Sequence, residues 1–396
     1  MTESDTIVTR PPFPQPVRTF AGRSSEIARI LAHIDSDTLF FLYGVGGIGK
    51  SELAYRVVRE LGAQARWAEV PALLVEVRPA TTAQRVLAQL LPALGATRAP
   101  RRRQASEDDL LTDQLELLAR LLEARPHVLF LDDVHHLAAG QVAAALGYLA
   151  RRVQKSRILV ASRREIVLPP DAPPPVVTTL GPLDAAAVEE MTTALAERLA
   201  IPRPEPAQVM RATHGSPFHI HQLLVRRAPD ASTLEATFGD LSPPARRLLR
   251  AAAVIQQRLS LDVLDRTWAG DAALDDTVRE LAQRFLCDAT RGELVVHDLI
   301  REAVLGSIAP EDLAAAHHDA AELCLGALRH GDRAPVLLAV DAVEHFLAAG
   351  RIEAAWDAIE RWYSPVAAAG SEHLLRAPLA RLRGALPARQ VAIDLL

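Results

Sequence analysis

Eight consecutive residues, Gly44-Val45-Gly46-Gly47-Ile48-Gly49-Lys50-Ser51, carry the spacing G-x-x-x-x-G-K-[ST] at every fixed position. Glycines at these places let successive backbone N–H groups turn inward around an anion. A helix starting at Ser51, and continuing through Glu52, points its positive end at the same anion. The Lys50 ammonium then meets β- and γ-phosphates, and the Ser51 hydroxyl is a ligand for Mg²⁺. The pattern predicts binding of ATP or ADP. An ordinary glycine-rich turn has no use for a lysine there, and this chain holds only two lysines, Lys50 and Lys155.

The second group of reactive side chains is Asp132-Asp133, which closes the apolar run Val128-Leu129-Phe130-Leu131. Downstream of a phosphate loop, such a strand end presents Asp132 to Mg²⁺, through water, and Asp133 to the attacking water as orienting group or base. Ser162-Arg163-Arg164 follows the next apolar run, so a cation at its tip would lie beside the γ-phosphate. The alternative is a solvated arginine pair. Three histidine pairs, His135/His136, His219/His221 and His317/His318, lack acidic or cysteine partners at metal-ligand spacing. No metal site is expected there.

These residues need a parallel α/β scaffold, and the hydrophobic pattern supplies one. Apolar runs at 39–43, 73–77, 128–131 and 158–161 read as buried strands. They alternate with helical spacing at 26–34, 51–61, 86–91, 110–124 and 139–153. The basic Pro100–Arg103 stretch reads as a solvated connection. After Pro173-Pro174-Pro175 the chain turns helical, from Asp184 to about Val225. Helices from 241 to 308 enclose an expected hairpin, Phe285–Cys287 against Leu294–Val296, which gives a winged-helix pattern. From Glu311 the chain is helical and rich in Ala and Leu, and His345–Trp356 reads as the turn of a tetratricopeptide-like hairpin. The expected organisation is an extended lead-in at 1–18, a P-loop NTPase domain at 19–178, a helical lid at 179–235, a winged helix at 236–309 and a TPR-like region at 310–396. The lead-in has no room for an effector domain. The apolar end at Ile393–Leu396 lacks the polar cap of a helical array. It implies a longer chain or a covering partner.

Composition sets outer limits. With 49% hydrophobic and 23% charged residues the chain can bury several cores. The formal charge of −5 argues against a dedicated nucleic-acid binder. Two cysteines, Cys287 and Cys324, make no disulfide framework and suit a cytoplasmic location. No signal peptide or uncharged membrane-length run is present in the sequence.

In this order the motifs resemble the STAND class of P-loop ATPases, close to the NB-ARC family. Phe20-Ala21-Gly22-Arg23-Ser24-Ser25-Glu26 matches its h-h-G-R-x-x-E motif, Leu42–Ala54 its phosphate loop, and Leu131-Asp132-Asp133-Val134 its Mg²⁺ strand. Ala161-Ser162-Arg163 stands where the family usually reads T-T-R, Gly215-Ser216-Pro217 matches G-x-P, and Val296-His297-Asp298 resembles M-H-D. The resemblance spans about residues 18–308. It implies Arg23 near the ribose or adenine, Pro217 on the adenine, Arg163 as the γ-phosphate sensor, and His297 on the β-phosphate of ADP.

The leading expectation is a nucleotide-controlled signalling switch. ADP holds a closed state, ATP releases an oligomerising one, and hydrolysis is slow. The C-terminal helices would sense a protein partner or ligand, with the effector downstream or on another chain. An alternative is an initiator-like AAA+ ATPase binding DNA through its winged helix, with Arg246, Arg247 and Arg250 as a phosphate-binding face. A constitutive metabolic ATPase or kinase is a third reading, and no acceptor site supports it.

Overall fold

The computed structural model describes residues 19–78, 81–96, 107–226, 238–239, 241–255, 259–268, 273–284, 286–287, 289, 292–296, 298–330, 335–386 and 389. The chain divides into two compact units, residues 1–224 and 225–396.

The first unit runs α1 (Ser24–His33), β1 (Leu39–Tyr43), α2 (Lys50–Gly62), β2 (Ala72–Glu76), α3 (Ala83–Ala93), α4 (Glu107–Ala124), β3 (Val128–Asp132), α5 (Ala139–Arg152), β4 (Arg157–Ser162), β5 (Val176–Thr179), α6 (Ala185–Leu199), α7 (Pro206–Thr213) and α8 (Pro217–Arg226). All five strands are parallel, in the order β2-β3-β4-β1-β5. Both sheet faces are covered, so the central strands read as continuous apolar runs rather than alternating ones. Phe40, Leu42, Phe130 and Leu159 pack toward α1 and α2 with Ile30, Leu53, Val57 and Leu61. Leu39, Phe41, Leu129, Leu131 and Val160 pack on the other face with Leu87, Leu90, Leu118, Leu122 and Leu146.

This is the parallel α/β P-loop fold the sequence predicts. β4 lies between β1 and β3, so the carboxyl ends of the three strands are neighbours. Tyr43 pairs with Ser162, Leu131 with Val160, and Glu76 with Asp132. The stretch read as helical from Asp184 to Val225 is three helices. It is interrupted at Ala200 (φ 51°) and His214 (φ 49°), both in the left-handed conformation that ends helices.

The second unit runs α9 (Pro243–Val254), β6 (Leu259–Ser260), α10 (Leu261–Thr267), α11 (Leu274–Gln283), β7 (Glu293–Leu294), α12 (Asp298–Ser307), α13 (Pro310–Arg329), α14 (Pro335–Ala348), α15 (Ile352–Ala368) and α16 (Arg376–Ala385). Arg301, buried on α12, donates to the carbonyls of Ala253 and Ile255 and so completes the carboxyl end of α9. Gly326 lets α13 close on α10, because a Cβ there would stand 2.2 Å from Thr267 Cγ2. The expected hairpin is described differently. β7 pairs antiparallel with β6, Leu294 opposite Leu259, while the other expected arm includes Phe285, outside the described residues. The turn expected within 345–356 falls between α14 and α15, with Gly350 at φ 70°. Among the described residues no helix is long and apolar enough to cross a membrane.

Candidate nucleotide-binding site

The phosphate loop leaves β1 at Tyr43 and enters α2 at Lys50. Gly47 and Gly49 have φ of 73° and 99°, conformations that L side chains rarely adopt. At Gly44 the restriction is steric, since a Cβ would lie 2.7 Å from Ile48 Cγ2. Ile48 is buried and anchors the loop in the core beneath α2, whereas Val45 at its tip is 68% exposed. The remaining loop glycine, Gly46, is half-buried, as are Ser51 and Glu52 in the first turn of α2. The buried Lys50 folds its ammonium back over the loop, donating to the carbonyls of Gly44 (3.0 Å) and Val45 (3.2 Å). A loop built on positive-φ glycines with an ammonium held at its mouth fits a polyphosphate.

Asp132 ends β3 almost fully buried, on the same sheet face as Phe130 and therefore toward α2. Its Oδ1 accepts the backbone N–H of Asp133 at 3.0 Å. Asp133 itself is left-handed, φ 54° and ψ 38°, and breaks the strand so that the next residues form a short 3₁₀ turn. Non-glycine residues in this conformation concentrate at functional sites. His135 Nδ1 stands 3.5 Å from Asp133 Oδ1, an ion-pair distance when the ring is protonated. The rings of His135 and His136 lie against each other, centroids 4.1 Å apart.

β4 delivers Ser162-Arg163-Arg164 between the phosphate loop and the Asp132 strand. Ser162 Oγ donates to the Arg164 carbonyl (2.6 Å) and accepts the Arg164 N–H (3.1 Å), which closes a tight turn. That turn leaves Arg163 half-buried and Arg164 exposed, so of the two arginines Arg163 is the one turned inward. The Tyr43 hydroxyl accepts the Ile166 N–H at 3.0 Å and holds the following loop down. Burial pushes this phenol above its usual range, so it stays neutral.

The helices after β5 reach back to the loop within the same unit. The Leu180 N–H donates to the Tyr43 carbonyl (2.8 Å), and the Leu183 N–H to the Gly215 carbonyl (2.8 Å). Gly215 has φ 71°, and a Cβ there would stand 2.4 Å from the Leu183 carbonyl oxygen. Only glycine fits. The turn it makes sets Pro217 at the start of α8 with its Cγ 4.0 Å from the place of a Gly49 Cβ. The Phe218 N–H donates to the Gly47 carbonyl at 3.3 Å.

Arg23 sits in a left-handed turn, φ 67°, before α1. It pairs with Glu26 at 2.9 Å and donates to the carbonyls of Ile48 (3.4 Å) and Gly181 (2.5 Å). Burial pushes the Glu26 carboxyl up, but hydrogen bonds from Ser25 and Arg23 outweigh it and leave the pKa below the ordinary value.

The structure thus gathers Arg23, Gly44–Glu52, Asp132, Asp133, Arg163 and Pro217 in one unit. His297 lies outside the described residues. The sequence did not single out Gly181, Leu183 or Phe218, because they act through backbone groups or contact alone. The one signal for Gly181 and Leu183 was the Leu180-Gly-Pro-Leu183 punctuation before the helices. Elsewhere, Arg246 donates to the Gly239 and Leu241 carbonyls, Arg247 forms a bidentate pair with Asp319, and Arg250 pairs with Asp312. Among the described residues no group of three or more His, Cys, Asp or Glu side chains is placed to hold a metal ion.

A phosphate loop after β1, a buried carboxylate at the end of β3 and a parallel sheet with β4 between the two strands define a P-loop nucleotide-binding fold. Residues 19–161 match the family described as AAA ATPase domain. Over nearly its whole length the chain has the fold of a STAND protein. It aligns with the crystal structure of a Signal Transduction ATPase with Numerous Domains with a tetratricopeptide repeat sensor from Pyrococcus horikoshii, at TM-score 0.68 and 17% identity, over 97% of this chain and 58% of that one. The chain therefore spans less than two thirds of that protein's length. A Walker-type ATPase of Pyrococcus abyssi matches at TM-score 0.40 and 15% identity, over 74% of this chain and 98% of that chain. The Aeropyrum pernix ORC1 protein, solved in complex with DNA, matches at TM-score 0.40 and 18% identity, over 76% and 95%. Neither of these two likenesses is close enough to carry an argument. No curated protein matches the sequence.

Proposed function

We propose that the protein is an ATP/ADP-controlled signalling switch of the STAND kind, in which hydrolysis is slow and the bound nucleotide marks the state. The observation that carries this reading is the packing of the lid turn, Gly215–Phe218, directly on the phosphate loop at Gly47 and Gly49. A loop that rearranges around a γ-phosphate moves the surface on which Pro217 and Phe218 rest. Occupancy is thereby converted into a movement of helices.

In the hydrolytic step, Lys50 neutralises the β- and γ-phosphates and Arg163 stabilises charge on the γ-phosphoryl group. Asp133 takes the proton of the attacking water as that water displaces ADP from phosphorus, giving inorganic phosphate. Ser51 and Asp132 are the residues that would hold Mg²⁺, which would supply positive charge against the phosphate oxygens. The resemblance to the NB-ARC family adds His297 as a contact that favours the ADP form. It also implies that the ATP form assembles into a homo-oligomer and that the C-terminal helices sense a partner or ligand.

The test is the nucleotide released from purified protein, with the mass in solution under ADP and under a non-hydrolysable ATP analogue. ADP as the co-purified species, a monomer with ADP and a larger assembly with the analogue support the switch. Equal masses in both states, together with tight ADP binding retained in His297→Ala, overturn it.

A further inference from the structure

Gly22 and Arg23 form a turn that touches three segments around the nucleotide site: α6, the phosphate loop and the stretch after β5. The Gly22 N–H donates to Glu190 on α6 at 3.3 Å. A Cβ on Gly22, whose φ is 65°, would lie 2.7 Å from Ala187 Cβ on the same helix. The Arg23 side chain is only 7% exposed. Its Nη1 pairs with Glu26, and its Nη2 serves two carbonyls at once: Ile48 in the phosphate loop at 3.4 Å and Gly181 in the segment leading to the lid at 2.5 Å. Two residues beyond Gly181, Leu183 is bonded to Gly215, the residue that shapes the turn of Pro217.

A guanidinium is a planar, rigid fork. One nitrogen bonded to two carbonyls of different segments holds those segments at a fixed separation. A shift of Ile48, two residues before Lys50, lengthens or breaks one bond and loosens the other.

We propose that Arg23 is a positioning residue that couples the phosphate loop to the lid through these two carbonyls, and so sets the rate at which bound ADP escapes, without reading the base or the ribose. The inference rests on the nucleotide-binding reading of the same site. It differs from the direct ribose or adenine contact that the family resemblance implies. Glu26 is the partner that aims the fork, and the left-handed backbone at Arg23 brings the side chain back over the loop instead of out along α1.

The experiment uses the 396-residue chain and a fluorescent ADP analogue labelled on the ribose, with Arg23→Ala and Arg23→Lys beside the wild type. ADP release is followed by stopped flow. Amide hydrogen exchange of the ADP complex is followed at 180–183 and 214–220. Competition by ADP, 2′-deoxy-ADP and GDP reports recognition of ribose and base. Arg23→Ala is expected to release ADP about tenfold faster, the loss of roughly one net charge-assisted hydrogen bond. Exchange should rise in both segments, and the ratios among the three competitors should stay at wild-type values. Arg23→Lys keeps the charge but cannot serve both carbonyls with a rigid fork, so its release rate should fall between the other two. It also stands in if the alanine variant folds poorly. Competitor ratios that change while lid exchange stays at wild-type levels overturn the proposal and make Arg23 a direct contact. Release and lid exchange that stay at wild-type values in Arg23→Lys and Arg23→Ala overturn it as well. The switch reading rests on a mass difference between ADP and ATP states, which this experiment does not use, so either can fail without the other.

Discussion

The backbone N–H of Phe218 donates to the carbonyl of Gly47 at 3.3 Å, joining the first turn of α8 to the middle of the phosphate loop. Gly215 makes that contact possible, because its backbone lies against Leu183 with no room for a side chain. Gly215→Ala would combine φ of 71° with a Cβ 2.4 Å from the Leu183 carbonyl oxygen. The expected cost is about 2–4 kcal/mol, from left-handed strain plus overpacking against rigid backbone. Chemical denaturation followed by far-UV circular dichroism measures it. ADP affinity should fall as well, since Pro217 and Phe218 lose their seat. A variant as stable as wild type would mean that the turn repacks without strain and that the lid does not depend on Gly215.

A second prediction concerns the arginines once open to a DNA-binding reading. Arg247 holds Asp319 with two bonds, 2.6 and 2.7 Å, and the Asp319 side chain is 10% exposed against 47% for Arg247. Its guanidinium also lies 5.1 Å from the Trp268 ring. Removing the arginine strands a nearly buried carboxylate. The pair is open to water on one side, so Arg247→Ala should cost about 1–3 kcal/mol, less than a fully buried pair. A double-mutant cycle with Asp319→Ala isolates the coupling. Because Arg246, Arg247 and Arg250 are all engaged within the unit, duplex DNA at low salt should show no binding traceable to them. Fluorescence anisotropy with a steep salt dependence, abolished by replacing these three arginines, would support the initiator reading.

The fold was legible where one physical signal dominated. Phe40 to Leu42, Leu129 to Leu131 and Ile158 to Val160 are buried on both faces of a parallel sheet, and such strands announce themselves as apolar runs. Gly44, Gly47 and Gly49 were legible because positive φ or close approach leaves no other residue there. The lid was only half legible. Gly215 and Pro217 stood out by type, but the groups that bond them to the rest, the amides of Leu183 and Phe218 and the carbonyls of Gly47 and Gly181, belong to every residue and carry no side-chain signature. Arg23 was singled out as a cation near a nucleotide. Its attachment to two carbonyls depends on a left-handed backbone, which Arg23 adopts without the glycine that usually marks it. The place of β4 between β1 and β3 is likewise tertiary, since local patterning specifies strands but not their order.

A third prediction comes from α13 and α14. His317 Nδ1 lies 3.0 Å from His345 Nδ1, and burial holds the His317 pKa below its ordinary value of 6.5. Two facing ring nitrogens make one hydrogen bond only while one of them lacks a proton. Below the unfolded pKa the unfolded chain binds a proton that the folded one resists, so stability rises with pH across this range. The contribution is complete above about pH 6.5 and is lost progressively as pH falls below it. His345 shares its helix with Asp341, one turn earlier and fully buried, so the second partner of the bond also stands in a low-dielectric site. Melting curves between about pH 8 and 5.5 should show a downward slope with acid in the wild type and a flatter one in His317→Gln. Equal slopes would remove His317 from the acid response.

The last prediction separates the two carboxylates at the end of β3. Asp132 is buried and faces α2, while Asp133 is half-buried and left-handed, with its side chain beside His135. Asparagine is nearly isosteric with aspartate and tolerates the left-handed region well, so Asp133→Asn should preserve the turn and the fold. It removes the base, and with it about 10²–10⁴-fold of the hydrolysis rate. ATP then persists, and the ATP state of a nucleotide-marked switch should accumulate rather than vanish. Asp132→Asn acts earlier. It weakens the Mg²⁺-dependent part of nucleotide affinity while the Asp133 amide keeps an oxygen acceptor at the same place. Single-turnover hydrolysis, paired with ATP affinity measured with and without Mg²⁺, distinguishes the two. If Asp133→Asn hydrolyses ATP at the wild-type rate, the water is activated from elsewhere, and His135, 3.5 Å from Asp133, becomes the next group to replace.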